Sequence, residues 1–307
     1  MENNLIVTSN PHITDNVSTR KLMGNVVISL VPCIIASAMI FGLRALLLTA
    51  VTTAACVGFE YLYCMLMKKP NPVGDLSAVV TGIILAMNFP VTLPLWMGIV
   101  GAFISIVLVK QLFGGLGYNF ANPALVGRIA LFSGFSSAMT NWKFPAAAVD
   151  QLSSATPLQV ADPSALNLMD LFLGVHGGVM GETCALAILI GFVWLVATKT
   201  ISPAIPVTYL ATVAVMSLLC GQNVMVQLLS GGLLFGAVFM ATDYVTSPIT
   251  LKGKMVFALG CGLVTFIIRY FCAYPEGVSF SILAMNILTP YIEKFTANTP
   301  LGGSKNG

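Results

Sequence analysis

The chain has 307 residues, of which 57% are apolar and only 8% charged, and its formal net charge is +3. Soluble domains carry about 25% charged residues, so this chain lacks the polar surface to dissolve and takes lipid as its solvent. The basic residues lie singly or in pairs between apolar runs, which excludes a nucleic-acid-binding patch.

In lipid every backbone polar group must be satisfied internally, by helices or by a closed barrel. Barrel strands alternate apolar and polar residues. Here the runs are continuously apolar over helical lengths, so an all-α integral membrane protein is expected. In chain order the candidate spans are 22–43, 45–67, 76–90, 94–113, 119–135, 180–198, 203–220, 225–242, 254–272 and 278–292. Several contain Gly, Pro or Asn or are short against the roughly 20 residues a span needs; 76–90, 119–135 and 278–292 stand out as interrupted.

These segments divide the chain into a cytoplasmic N-terminal segment (1–21), a first five-helix half (22–135), a polar loop (136–178), a second five-helix half (179–293) and a cytoplasmic tail (294–307). Residues 1–21 are polar and hold no signal-peptide core. Sidedness follows from the basic residues. With the N-terminus inside, ten lie in cytoplasmic segments (Arg20, Lys21, Lys68, Lys69, Lys110, Lys199, Lys252, Lys254, Lys294, Lys305) and three outside (Arg44, Lys143, Arg269). The 136–178 loop is thereby expected outside the cytoplasm.

The halves look related. Asp75 to Asn88 resembles Leu229 to Asp243, with Gly82 matching Gly236, and Asn119-Phe120 is echoed by Ser279-Phe280. A duplicated unit with an odd number of spans sits inverted in the membrane, and its interrupted helices mark the binding site.

The cysteines at 33, 56, 64, 184, 220, 261 and 272 form no CxxC pair and no cluster with His. Most lie in apolar runs and read as small core residues rather than disulfides or metal ligands. His12 and His176 read as surface residues.

The loop between the halves carries Asp150-Gln-Leu-Ser153-Ser154-Ala155-Thr156-Pro157-Leu158. This stretch resembles the flavinylation motif of membrane respiratory subunits. Ser154 departs from the usual Gly but is also small. Gly114 through Arg128 and Ala241 through Thr250 agree with the same family. Together, and in order over nearly the whole chain, the three segments resemble the D subunit of the Rnf complex. Its paralogue is the B subunit of the sodium-pumping NADH:quinone reductase, which usually has a longer N-terminal extension, so length favours the Rnf side.

The resemblance implies two inverted five-helix repeats with interrupted helices, about ten spans in all, a urea-transporter-like architecture. It implies FMN esterified through its phosphate to Thr156 by a flavin transferase. Asp150, Ser153, Ser154 and Ala155 complete the motif, in a multi-pass subunit of the bacterial cytoplasmic membrane. Partners are the other Rnf subunits, both membrane and flavin or iron–sulfur ones. Small residues before Thr156 keep its hydroxyl accessible, and Pro157 favours an extended backbone there. The flavin supplies the redox chemistry, so no acid, base or nucleophile is required of the side chains.

Related B subunits also hold a non-covalent riboflavin, for which Thr81, Asn119 and Asn122 are candidates, since amides both donate and accept. The two asparagines equally suit helix capping, and both readings stand. Arg128 either supports flavin charge or forms a structural ion pair. Asp243, at the second-half position related to Asn88, is a candidate for an ion pathway. A membrane component of an ion-translocating ferredoxin:NAD⁺ oxidoreductase is the reading that results. A component of a quinone-reducing complex and a solute channel or transporter are its rivals.

Overall fold

The computed structural model describes residues 17–142, 158, 167–174, 176–272 and 277–297. All regular structure among them is helical. Ser18 opens α1 (Thr19–Phe41) by accepting from the Lys21 N–H at 3.2 Å. Gly42, at φ +79°, turns the chain into α2 (Leu43–Leu66). Next come α3 (Ser77–Met87), α4 (Leu95–Phe103), which continues as a π-helix over Ile104–Gln111, and α5 (Pro123–Gly134). Two short helices, α6 (Ser136–Met139) and α7 (Leu168–Leu173), flank the loop region. The second half holds α8 (Ala185–Ala197), α9 (Ala204–Leu219), α10 (Val224–Leu229) and α11 (Leu233–Phe235), which runs on as a π-helix over Gly236–Met240. It closes with α12 (Leu251–Phe271) and α13 (Val278–Thr296).

Among the described residues, α1, α2 and α12 are the helices long and apolar enough to cross a membrane. Shorter apolar helices surround them. Large apolar side chains such as Leu43, Val193, Phe271 and Phe295 stand exposed on the outer surface, as a lipid-facing belt requires.

Each segment read from hydropathy coincides with a helix, but the interruptions differ from expectation. Residues 278–292 lie in one continuous helix despite Pro290. The second-half break falls instead at Gly231 and Gly232, whose φ values of +69° and +68° no helix accommodates.

Close helix contacts rest on glycine. A Cβ on Gly82 of α3 would sit 2.6 Å from the Thr53 Cα of α2, and one on Gly191 of α8 would sit 2.5 Å from the Ser29 carbonyl of α1. Where α3 stops, at Met87, the chain beyond it is held by the other half: Gly181 N–H donates to Met87 O at 2.7 Å and Met180 N–H to Phe89 O at 3.1 Å.

One ion pair lies wholly inside. Lys110, at the end of the first π-helix, donates to Glu60 Oε1 of α2 at 2.6 Å, with the side chains 2% and 0% exposed. Gln111 Nε2 reinforces the same oxygen at 2.8 Å. Removing one partner of such a pair strands a buried charge, at a cost of about 3–5 kcal/mol, whereas replacing both by neutral groups is often near neutral. Lys110→Met is therefore expected to lower the temperature at which the detergent-solubilised chain loses its monodisperse peak by several degrees. Glu60→Gln combined with Lys110→Met recovers most of that loss. A double variant less stable than the single one contradicts the account.

A cleft between the two halves

Thr81, Asn119 and Asn122 line one cleft between the two halves, with an enclosed volume of about 80 Å³. Small-molecule sites are mostly apolar with a few placed polar groups. The walls here follow that rule. Val26, Ile84, Leu195, Val238 and Phe239 supply apolar surface, while Ser77, Lys110, Thr242, Asp243 and Tyr244 supply polarity.

The first-half wall is built by two chain reversals. Gly114, Gly115 and Gly117 adopt φ values of +123°, +99° and +95°, so the chain turns tightly after the π-helix and brings Asn119 back toward α3. Asn119 Nδ2 then donates to Ala121 O at 3.0 Å, closing a short turn. Its Oδ1 accepts from no donor among the described residues and borders the cleft. Asn122 does different work: its Oδ1 caps α5 through the Ala124 N–H at 3.0 Å, and Pro123 follows at the first helical position. Its Nδ2 reaches across to Met240 O of the second half at 3.3 Å. Asn286 of α13 completes this link. With its amide turned to satisfy both of its groups, it accepts from the Asn122 N–H and donates to Thr246 O, each at 3.2 Å. Capping and site-lining, alternatives in the sequence, thus coincide at Asn122. Thr81 Oγ1 donates back to Ser77 O at 3.0 Å.

The opposite wall follows the second π-helix. Asp243 is half-buried and accepts from Thr246 Oγ1 at 3.0 Å. Burial pushes its carboxyl above the usual carboxylate range, and the Thr246 hydrogen bond opposes that rise. Tyr244 Oη donates to Thr200 O. Asn88 Nδ2, at the end of α3, donates to Ile84 O at 2.7 Å and to Met240 Sδ, at the end of the second π-helix, at 3.4 Å.

Other candidates lie elsewhere. Arg128 is buried away from the cleft walls, on α5, and donates to Ser279 Oγ of α13. Asp150, Ser153, Ser154, Ala155 and Thr156 fall outside the described residues. Leu158, just beyond them, packs where a Cβ on Gly231 would sit, close to Arg269. His176, expected at the surface, is buried at 7% exposure. The segment after it folds back into the bundle through Met180 and Gly181, and burial holds its imidazole down to about 4, hence neutral.

Lys110 is the cleft residue that sequence reading misplaced, as a cytoplasmic loop charge. The available signal was Glu60, an acid inside an apolar run that demands a buried partner. Without Lys110 the charge bias is nine to three rather than ten to three, and it keeps its direction.

These features belong to a chain with clear relatives. Residues 6–302 match the family described as the NQR2, RnfD, RnfE family. The chain is 46% identical to the D subunit of the Na(+)-translocating ferredoxin:NAD(+) oxidoreductase complex of Acetobacterium woodii, covering 99% of this chain and 97% of that one. It is 36% identical to the D subunit of the proton-translocating ferredoxin:NAD(+) oxidoreductase complex of Clostridium ljungdahlii, over 98% and 97% of the two chains. It is 34% identical to the D subunit of the ion-translocating oxidoreductase complex of Stutzerimonas stutzeri, over 94% of each. On a match of this extent, the chain belongs to the NQR2, RnfD, RnfE family.

Proposed function

We propose that the chain is the flavin-bearing membrane subunit of an Rnf-type ferredoxin:NAD⁺ oxidoreductase whose electron transfer drives Na⁺ or H⁺ across the membrane. Full-length similarity to subunits so named supports this reading over a quinone-reducing complex. The flavins would supply one- and two-electron redox chemistry, which amino-acid side chains lack. This chain's own residues bind, orient and seal.

Two sites follow. Thr156 takes FMN as a phosphoester made by a flavin transferase, within the motif of Asp150, Ser153, Ser154 and Ala155. The cleft takes a non-covalent flavin such as riboflavin. The single observation that carries the second site is the convergence of Thr81, Asn119 and Asn122 on one cleft, with Asn119 Oδ1 uncommitted. An uncommitted carbonyl accepts from an imide N–H, hydroxyls and amides serve the ring carbonyls, and the apolar walls exclude water from the ring system.

The same reading sets topology. The α1 start and the α8 end meet where Asn25 Nδ2 donates to Thr200 Oγ1 at 3.1 Å; the α12 start and the α13 end meet through Thr250 and Thr296 at 3.0 Å. At the far end Arg44 holds the 91–93 carbonyls and Arg269 holds Gln227 and Ser230. Five segments then run alternately from α1 to α5, and five from α8 to α13 start in the opposite direction, which supports two inverted repeats in ten spans. The basic residues put the α1 start inside the cell, and with it the Thr156 loop outside. An inverted repeat is also a transporter architecture, and the loop separates the two readings, because a transporter has no use for an esterified Thr.

Two tests apply. Co-expressed with a flavin transferase, the chain should fluoresce under ultraviolet light on a denaturing gel; Thr156→Val abolishes the band and Thr140→Val keeps it. A dark wild-type band refutes the covalent site. For topology, Cys220 and Cys272 are exposed at the end assigned outside, whereas Cys33, Cys56, Cys64 and Cys261 are buried. A membrane-impermeant maleimide should label intact spheroplasts, and Cys220→Ser with Cys272→Ser should remove the label. Labelling that appears only after lysis reverses the orientation.

A further inference from the structure

Lys110 is 2% exposed, yet it borders the cleft. An ammonium has three N–H donors and no acceptor. One goes to Glu60 Oε1 at 2.6 Å and one to Ser77 Oγ at 2.5 Å; the third has no acceptor among the described residues. Ser77 is fixed in turn, donating to Asp75 Oδ1 at 2.5 Å. The head group is therefore pinned on two sides with a donor left over at a cavity wall.

The pair is also poorly arranged for a purely structural purpose. A buried salt bridge offsets its desolvation only if the remaining polar atoms are satisfied as well. Here Glu60 Oε1 accepts from both Lys110 and Gln111, while Oε2 is buried without a partner. The backbone that carries Lys110 is a π-helix, a form concentrated at functional sites. The cost is met at a residue that borders the cavity.

We infer that Lys110 is a direct ligand-binding residue of the cleft: its third N–H donates to a ring carbonyl of the bound flavin, and its charge favours the reduced form. Glu60 and Ser77 are positioning residues for it. Adding electron density to a ring beside a fixed ammonium is favourable, and the effect is stronger in a water-poor cavity than in bulk water. Asp243, on the opposite wall, is the acidic group that faces the same cavity. This inference rests on the reading that the cleft holds a non-covalent flavin.

The test uses the full chain purified from cells without a flavin transferase, so that no phosphoester forms, with riboflavin as the probe. Binding is read by fluorescence quenching and the midpoint potential by reductive titration against a reference dye. Lys110→Met and the charge-neutral pair Glu60→Gln/Lys110→Met are compared with wild type, the pair guarding against loss of fold. Both variants should bind riboflavin at least tenfold more weakly. Any flavin retained should favour reduction at least tenfold less, a downward shift of about 30 mV for a two-electron couple and about 59 mV for one electron. A neutral pair that binds and titrates like wild type overturns the role of Lys110 and leaves the cleft reading standing. A folded wild-type chain that binds no riboflavin overturns the cleft reading and this inference with it.

Discussion

Backbone polar groups released where a helix stops inside an apolar bundle must find partners, because neither lipid nor bulk water supplies them. The chain stops two helices in this way, after Met87 and again at Gly231 and Gly232. The first stop is satisfied by the other half, where Gly181 and Met180 donate to Met87 and Phe89. The second is satisfied within its own half: Glu182 accepts from the Gly231 N–H, and Arg269 donates to the Ser230 and Gly231 carbonyls. Asn122 Nδ2 adds a bond across to Met240 O, so hydrogen bonds as well as apolar packing join the halves.

The cavity lies at the starts of α3 and α5 and beside the end of the second π-helix, and polar groups that also serve as caps and turns border it. Asn122 shows the economy of this arrangement: one amide caps α5, bridges to the second half and faces the cleft. The buried Glu60–Lys110 pair belongs to the same region through Ser77 at the α3 start. An ionised pair inside an apolar bundle is expensive, and its placement at the cavity wall gives it a use beyond holding α2 to the π-helix.

Much of the fold was legible because hydropathy and length report directly on spans. Every apolar run holds helical structure, with 225–242 divided at Gly231 and Gly232. Interruption itself was harder to place. Pro290 suggested a break in α13, but the helix runs on through it to Thr296. The paired glycines at 231 and 232 were the better signal. Thr81, Asn119 and Asn122, singled out as polar residues on interrupted segments, line one cleft. Lys110 was not singled out, because a lysine at the edge of an apolar run looks like a loop charge until its partner Glu60 is seen opposite. His176 was misread for a similar reason: nothing in a polar segment announces that it folds back into the bundle.

We propose that the cleft between the halves is a flavin site. It is tested most directly by an experimental density map of the full chain saturated with riboflavin. The account predicts tricyclic density in the cleft, with its pyrimidine edge toward Asn119 and Lys110. Density for the ring at any other place, or a cleft filled by a lipid chain under the same conditions, contradicts it.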